Sequence, residues 1–394
     1  MDGKSVSDSV MTGQDSVILP MPGYYQMVTS VVPIQLHILR KIPEDFNYFY
    51  QFTTYCHWNW VDAFLVLFLA VFWTATRATL TYYIFKPFVD KLNLMDEERT
   101  TKATENLFKS TWYTLSWIYT TSILFSGKYS MFQDPASVFT DWSNGMEVPL
   151  DIYILFVYQC GFYVHSIYAS IYVDVIRSDF CLIIAHHVLT IMLLAFSFVV
   201  RYHKLGVLVI FCHDICDVLL EIAKIFIQTK DRNGKFHVFN EIMANIFFGF
   251  FIVVWILCRL YWYPLKVLYA AGRFFFPVAP FVTTFNVMLW LLLMMNIYWF
   301  WLMLGIVVRL LTGNMGDGLK DTREENGVEH GQEILQALLR LVSGGTNKCE
   351  EDIREQDGAV ITQQREEKKK KKSIVSRGEG RSCAALVVRS GEIN

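Results

Sequence analysis

The sequence predicts an all-α integral membrane protein with about seven transmembrane helices, and three observations carry that prediction. Of 394 residues, 53% are hydrophobic and only 18% are charged. Mean hydropathy is +0.31. The apolar residues gather in stretches of about 20 or more, the length that a helix rising 1.5 Å per residue needs to cross a hydrocarbon core of about 30 Å. Together these exclude a soluble globular enzyme, a disordered chain and a fibrous repeat. With 35 Lys and Arg against 37 Asp and Glu, the net charge of −2 offers no basic field for nucleic acid.

The elements follow in order. Residues 1–57 form an N-terminal segment without a basic stretch leading into an apolar core, so no cleavable signal peptide is expected and the first hydrophobic helix serves as the insertion signal. The seven apolar windows are residues 61–83, 107–126, 150–173, 180–200, 205–228, 241–264 and 284–310. Trp58 and Trp60 open the first, and Tyr261, Trp262 and Tyr263 close the sixth, where amphipathic rings suit the headgroup region. Residues 58–99 hold the first span and a short connector, residues 100–312 the other six spans, and residues 313–394 a charged tail too poor in apolar surface to fold alone. Within the tail, Glu333 to Val342 reads as a transient amphipathic helix in an otherwise solvated segment. Loop cations are balanced between the two faces, and only the run Lys368 to Lys372 puts the C-terminus in the cytosol and the N-terminus in the lumen. The eight cysteines (56, 160, 181, 212, 216, 258, 349 and 383) form no CxxC pair and read as reduced packing residues.

Ionisable groups are costly inside a bilayer, so their placement is informative. Span four has no formal charge but contains His186 and His187, and span five holds His213, Asp214, Asp217 and Glu221. The connection Arg201 to Lys204 is short enough to make these spans adjacent antiparallel helices, so depths can be compared. His187, 14 residues from Arg201, and Asp217, 13 residues from Lys204, lie nearly level, about 20 Å from the turn. His213, Asp217 and Glu221 follow one helical stripe. The expectation is that imidazoles on one helix face carboxylates on the next, a pairing suited to a general base or a nucleophilic imidazole, with histidine keeping Asp217 ionised. His165 in span three lines the same cavity or packs between helices. His203 sits at a turn, and His37, His57, His237 and His330 read as surface or interfacial residues. Arg177 and Asp179, just before span four, bind an anionic headgroup or phosphate, or form an interfacial ion pair. Arg77 falls inside the first span, or snorkels if that span is shifted, and is given no chemistry.

Two other readings stay open on the residues alone. His186, His187, His213 and Asp214 or Asp217 are enough ligands for a zinc hydrolase, although adjacent histidines point about 100° apart on a helix and do not easily grip one ion. A non-enzymatic lipid sensor or a proton-coupled carrier would use the same buried acids.

The stretch RSDFCLIIAHHVLTIMLLAFSFVVRYHKLGVLVIFCHDICDVLLEIAK, Arg177 to Lys224, closely resembles the Lag motif of ceramide synthases. The resemblance extends through FQDPASVFTDWSNGMEVPLDIY (132–153), FYVHSIYASIYVD (162–174) and RLYWYPLKVLYA (259–270), and makes residues 100–312 a TLC domain. Only about 20 residues, Lys86 to Glu105, separate the first span from that domain, which resembles the type 1 branch lacking a homeobox-like insert. Phe198 departs from the family's usual Tyr. The resemblance implies six helices in a barrel around a long lipid cavity, with the first span outside. It implies N-acylation of sphinganine or sphingosine by a long-chain acyl-CoA, stearoyl-CoA in this branch, in the endoplasmic reticulum membrane. Acyl-CoA is then a co-substrate, with no bound cofactor and no metal; the partners are the sphingoid base, membrane lipid and a second synthase subunit in a homodimer or heterodimer. His186 becomes the nucleophile and His187 its partner. His213, Asp214 and Asp217 orient imidazole, take the amine proton or stabilise charge, while Arg177, Asp179, His165 and Glu221 bind substrate. The loop of about Ala271 to Pro280 is where the family tunes acyl-chain selectivity.

Overall fold

A computed structural model describes residues 21–40, 48–94, 96–140, 142–274 and 280–312. The tail from 313, with its expected amphipathic helix, its lysine run, His330, Cys349 and Cys383, lies outside the described residues. So does 275–279 of the expected selectivity loop. All described residues belong to one compact unit.

Among the described residues twelve α-helices run in chain order: α1 (Tyr24–Arg40), α2 (Tyr48–Tyr55), α3 (Trp60–Leu80), α4 (Lys86–Asp90), α5 (Glu97–Phe125), α6 (Ser137–Thr140), α7 (Leu150–Tyr172), α8 (Phe180–Val199), α9 (His203–Gln228), α10 (Val238–Trp255), α11 (Tyr269–Arg273) and α12 (Val282–Leu311). A π-helical stretch, Thr81–Phe85, joins α3 to α4, and a longer one, Ile256–Leu268, joins α10 to α11. All seven expected spans fall on long helices. Five continuous segments, Trp60–Asp90, Leu150–Tyr172, Phe180–Val199, Val238–Arg273 and Val282–Leu311, are long and apolar enough to cross a membrane. α5 and α9 are 29 and 26 residues long but carry more polar and charged side chains, and they pack against each other more extensively than any other helix pair described. Their buried faces include Lys102, Glu105, Asn106 and Ser116 on α5, and His213, Asp214, Glu221 and Lys224 on α9.

Local chemistry sets the ends. Asn59 caps α3, its side chain accepting from Val61 N at 3.1 Å, and Asp96 caps α5 by accepting from Glu98 N, with Glu97 and Glu98 in the first turn where the helix dipole favours anions. Between α8 and α9 the chain reverses through Arg201 at φ 68, and Tyr202 N donates to Ser197 O at 2.6 Å, so these helices are neighbours as their short connection requires. Close approach is enforced at Gly206 of α9: a Cβ there would lie 2.4 Å from Phe156 Cζ of α7. A two-stranded hairpin, β1 (Asp231–Arg232) with β2 (Lys235–Phe236), turns on Asn233 and Gly234, both at positive φ, the chemistry of a tight hairpin loop.

Two expectations are corrected. The sixth span does not end at an interfacial aromatic cluster: its helix continues to Arg273, and Tyr263 is fully buried with its hydroxyl donating to Leu289 O at 2.7 Å. Arg77 does not snorkel. It is 8% exposed and its Nη2 lies 2.6 Å from Asp174 Oδ1, because a buried guanidinium is retained only where a carboxylate answers it.

Candidate active site

A cavity of about 390 Å³ is bounded by α3, α5, α7, α8, α9, α10, the π-helical stretch after it and α12. His186 and His187 both line it, although adjacent residues on α8 point about 100° apart. Their ring centroids are 5.9 Å apart; His186 meets Trp299 of α12 edge to face at 5.2 Å, and His187 lies against Tyr163 of α7 at 5.7 Å. The Nδ1 atom of each is buried and has no hydrogen-bond partner among the described residues. Two imidazoles held by aromatic packing, with nitrogen lone pairs uncommitted, are available to a substrate carbonyl or amine. His186 also borders a second, small cavity of about 30 Å³, whose wall combines Leu193, Leu194, Leu289 and Leu292 with His213 and Asp214.

The carboxylates are arranged differently from the expectation. Asp217 lines the cavity with the histidines, as its depth on α9 predicts, but its partner is Arg259, whose Nη2 donates to Oδ1 at 2.8 Å. Arg259 is 2% exposed, stacks 4.1 Å over the Trp255 ring and donates to the His213 carbonyl oxygen at 3.0 Å. A guanidinium, always charged and able to fork between acceptors, holds Asp217 where histidine was expected to do so. Asp214 faces away from the pair: Ser116 Oγ donates to Oδ2 at 2.5 Å and Gln159 Nε2 at 2.9 Å. His213 is also committed, with Nδ1 2.7 Å from Val209 O and Nε2 3.2 Å from Asn296 Nδ2. Since Val209 O only accepts and the amide Nδ2 only donates, His213 carries its proton on Nδ1. His213 and Asp214 are therefore both committed to protein partners, and of the acids in the stripe Asp217 and Glu221 line the cavity.

The remaining candidates form its rim. Glu221 Oε1 accepts from Lys224 at 2.7 Å. His165 Nδ1 lies 2.9 Å from Thr74 Oγ1, whose proton goes to Ala70 O, so His165 lends Thr74 a proton and leaves Nε2 without a partner. Arg177 Nη2 bonds Glu105 Oε1 at 3.2 Å, and Asp179 lines the same rim. Lys109 joins Glu105 at 2.6 Å to Asp174 at 2.7 Å, and Asp174 also takes Arg77. Asp174 lies beyond the end of α7. Burial raises its pKa, yet the cations Lys109 and Arg77 outweigh burial and hold it below the usual carboxylate range.

Sequence reasoning missed Arg259, Asn296, Lys109 and Trp299 as site residues. An arginine inside an apolar window was itself a signal. It was masked by the tyrosines and tryptophan that follow it, read there as a membrane boundary. The zinc ligand set does not assemble: His213, Asp214 and Asp217 are each turned to a protein partner, and among the described residues no three of His, Cys, Asp and Glu converge on one point.

The TLC domain family profile matches residues 102–305. Ceramide synthase 1 of Homo sapiens is 41% identical over 263 residues, 66% of this chain and 75% of its own length. Ceramide synthase 1 of Mus musculus is 39% identical over 271 residues, 68% and 77% of the two chains. Ceramide synthase LOH2 of Arabidopsis thaliana is 29% identical over 235 residues, 57% and 75%.

Proposed function

The chain belongs to the ceramide synthase family of TLC-domain proteins, and from that premise we propose how its cavity joins a long-chain fatty acyl-CoA to the amine of sphinganine or sphingosine. The protein is a multi-pass membrane enzyme, a sphingosine N-acyltransferase whose products are (dihydro)ceramide and CoA. Stearoyl-CoA is the proposed donor, on the strength of the short connector before the TLC domain.

His186 attacks the thioester carbonyl carbon, the C–S bond breaks, and CoA leaves as thiolate to take up a proton. The acyl group then rests on the imidazole. The sphingoid amine, which has lost one proton before attack, forms the new C–N bond as the bond to His186 breaks, and His187 accepts the second amine proton. Arg259, paired with Asp217 on the cavity wall, supplies positive charge to the carbonyl oxygen as charge develops there. His213 and Asp214 position α9, Glu221 and His165 line the path of the substrate, and Arg177 and Asp179 meet the polar head of acyl-CoA at the rim. No bound cofactor enters the scheme. The same reading puts the protein in the endoplasmic reticulum membrane, with the C-terminus cytosolic and the N-terminus lumenal, and allows pairing with a second copy or a related synthase.

One observation carries the proposal: two adjacent imidazoles with unbonded Nδ1 atoms on the wall of a cavity lined by the ionic groups Arg77, Lys109, Asp174 and Arg177 and by apolar side chains such as Phe248, Phe251, Leu302 and Ile306. Acyl-CoA divides in the same way, into a polyanionic head and an apolar chain. The test is to incubate purified protein with labelled stearoyl-CoA and sphinganine, then identify the lipid and the free CoA. An amide in step with CoA release is expected. Uptake of lipid without CoA release would mean a carrier, and loss of activity on chelation would revive the zinc hydrolase, as a zinc-dependent lipid amidase.

A further inference from the structure

α12 is held firmly along its first 18 residues. Phe285 stacks on Phe196 at 6.1 Å, Leu289 O receives the Tyr263 hydroxyl, Asn296 bonds His213, and Trp299 packs on His186. Beyond Trp299, among the described residues, α12 makes no hydrogen bond, ion pair or ring contact with another element, and apolar packing such as that of Met303, 8% exposed, is what holds it. In this last stretch Trp301, Gly305 and Arg309 line the cavity, yet all three are exposed, Trp301 at 72%. They stand at i, i+4 and i+8, one straight stripe. A surface that is both cavity wall and outer surface is an opening, and on a membrane-spanning helix this one faces hydrocarbon. Gly305 lies six residues, about 9 Å, from the level of the histidine pair, and a Cβ built there meets nothing within 4 Å.

We propose that the gap along Trp301, Gly305 and Arg309 is a lateral portal through which the sphingoid base passes between the bilayer and His186, with Gly305 setting its width. The inference rests on the acyltransferase reading for the identity of the lipid. A single-chain amine has no reason to leave the leaflet, whereas the CoA head is water-borne and suits the ionic rim. The inner wall at Leu302 and Ile306 receives the alkyl chain. Beyond the portal, Asp217 and Glu221 offer carboxylates to the ammonium group.

Gly249 of α10 supplies the control: it is exposed, a Cβ there also meets nothing within 4 Å, and it does not line the cavity. Gly305→Leu should lower kcat/KM for sphinganine about tenfold while the KM for stearoyl-CoA stays within about twofold; Gly249→Leu should leave both unchanged. Independently of turnover, a sphinganine analogue with a diazirine in its chain should label residues 301–309 of the unaltered protein, and sphinganine should compete. Labelling confined to other helices, or unchanged sphinganine kinetics in Gly305→Leu, overturns the portal. If the leucine variant loses both substrates equally, its packing is disturbed and the labelling of the unaltered chain decides. Labelling of the stripe in a protein that forms no amide would sink the acyltransferase reading and leave the portal standing; amide formation with labelling elsewhere would do the reverse.

Discussion

Arg259 and Asp217 meet across α9 and the π-helical stretch that follows α10, with Nη2 2.8 Å from Oδ1, and the same nitrogen reaches the His213 carbonyl oxygen at 3.0 Å. One guanidinium thus ties the acid that lines the cavity to the backbone one turn before it. Removing one partner of such a pair strands a charge in a poorly solvated place. Arg259→Met should cost roughly 3 kcal/mol of stability in detergent and abolish acyl transfer. Arg259→Met combined with Asp217→Leu should regain most of the stability without the activity. A double variant no more stable than the single one would show that the pair does not act as a unit.

His186→Ala and His187→Ala should each lower amide formation by at least about a hundredfold, the scale of a lost nucleophile or proton acceptor. Because neither ring's Nδ1 is hydrogen-bonded, both variants should insert and elute like the parent protein. Near-normal turnover in either would remove that ring from the reaction.

Among the acids, Asp217→Asn should reduce activity more than Glu221→Gln. Asp217 shares the cavity wall with Arg259 and the histidines, while Glu221 is engaged one turn further on by Lys224 at 2.7 Å. Initial rates in microsomes check the ranking, and the opposite order would detach Asp217 from the chemistry.

Asp174 gives an acid limb. Although burial opposes ionisation, Lys109 and Arg77 hold its pKa low, so its contribution to stability is present above the unfolded value of about 4 and is lost as pH falls through the lower folded value. Arg77→Met removes one cation and should move the loss of thermal stability to higher pH. Melting temperatures measured in detergent across the acid range should separate the two proteins, and superimposable curves would show that Arg77 does not hold Asp174.

The all-α membrane class was legible because length and apolar content mark five segments as able to cross a bilayer, whereas α5 and α9, read as spans for their length, carry more polar and charged side chains. The shared cavity of His186, His187, Asp217 and Glu221 was legible too, since a short turn fixes the relative depth of α8 and α9. The partners of those groups were not. Whether Asp217 meets a histidine or Arg259 depends on the rotation of α9 about its axis and on a residue 42 positions along the chain, which spacing within one hairpin cannot supply. Asp214, a neighbour of His213 in sequence, points to α5 and α7 for the same reason. α1 and α2 went unread because their stretches are short, and α1 contains Pro33.

Arg77 and Leu69 both precede the residues that the TLC family profile covers, yet one completes the ion pairs at the cavity rim and the other seats against Gly161, where a Cβ would come within 2.6 Å of its own. The boundary of the family profile and the boundary of the working machine therefore do not coincide. Grafting the homologous domain without Trp60–Leu80 would leave Asp174 short of a cation and α7 stripped of a neighbour, so any minimal catalytic unit carved from this chain has to begin upstream of its recognisable module.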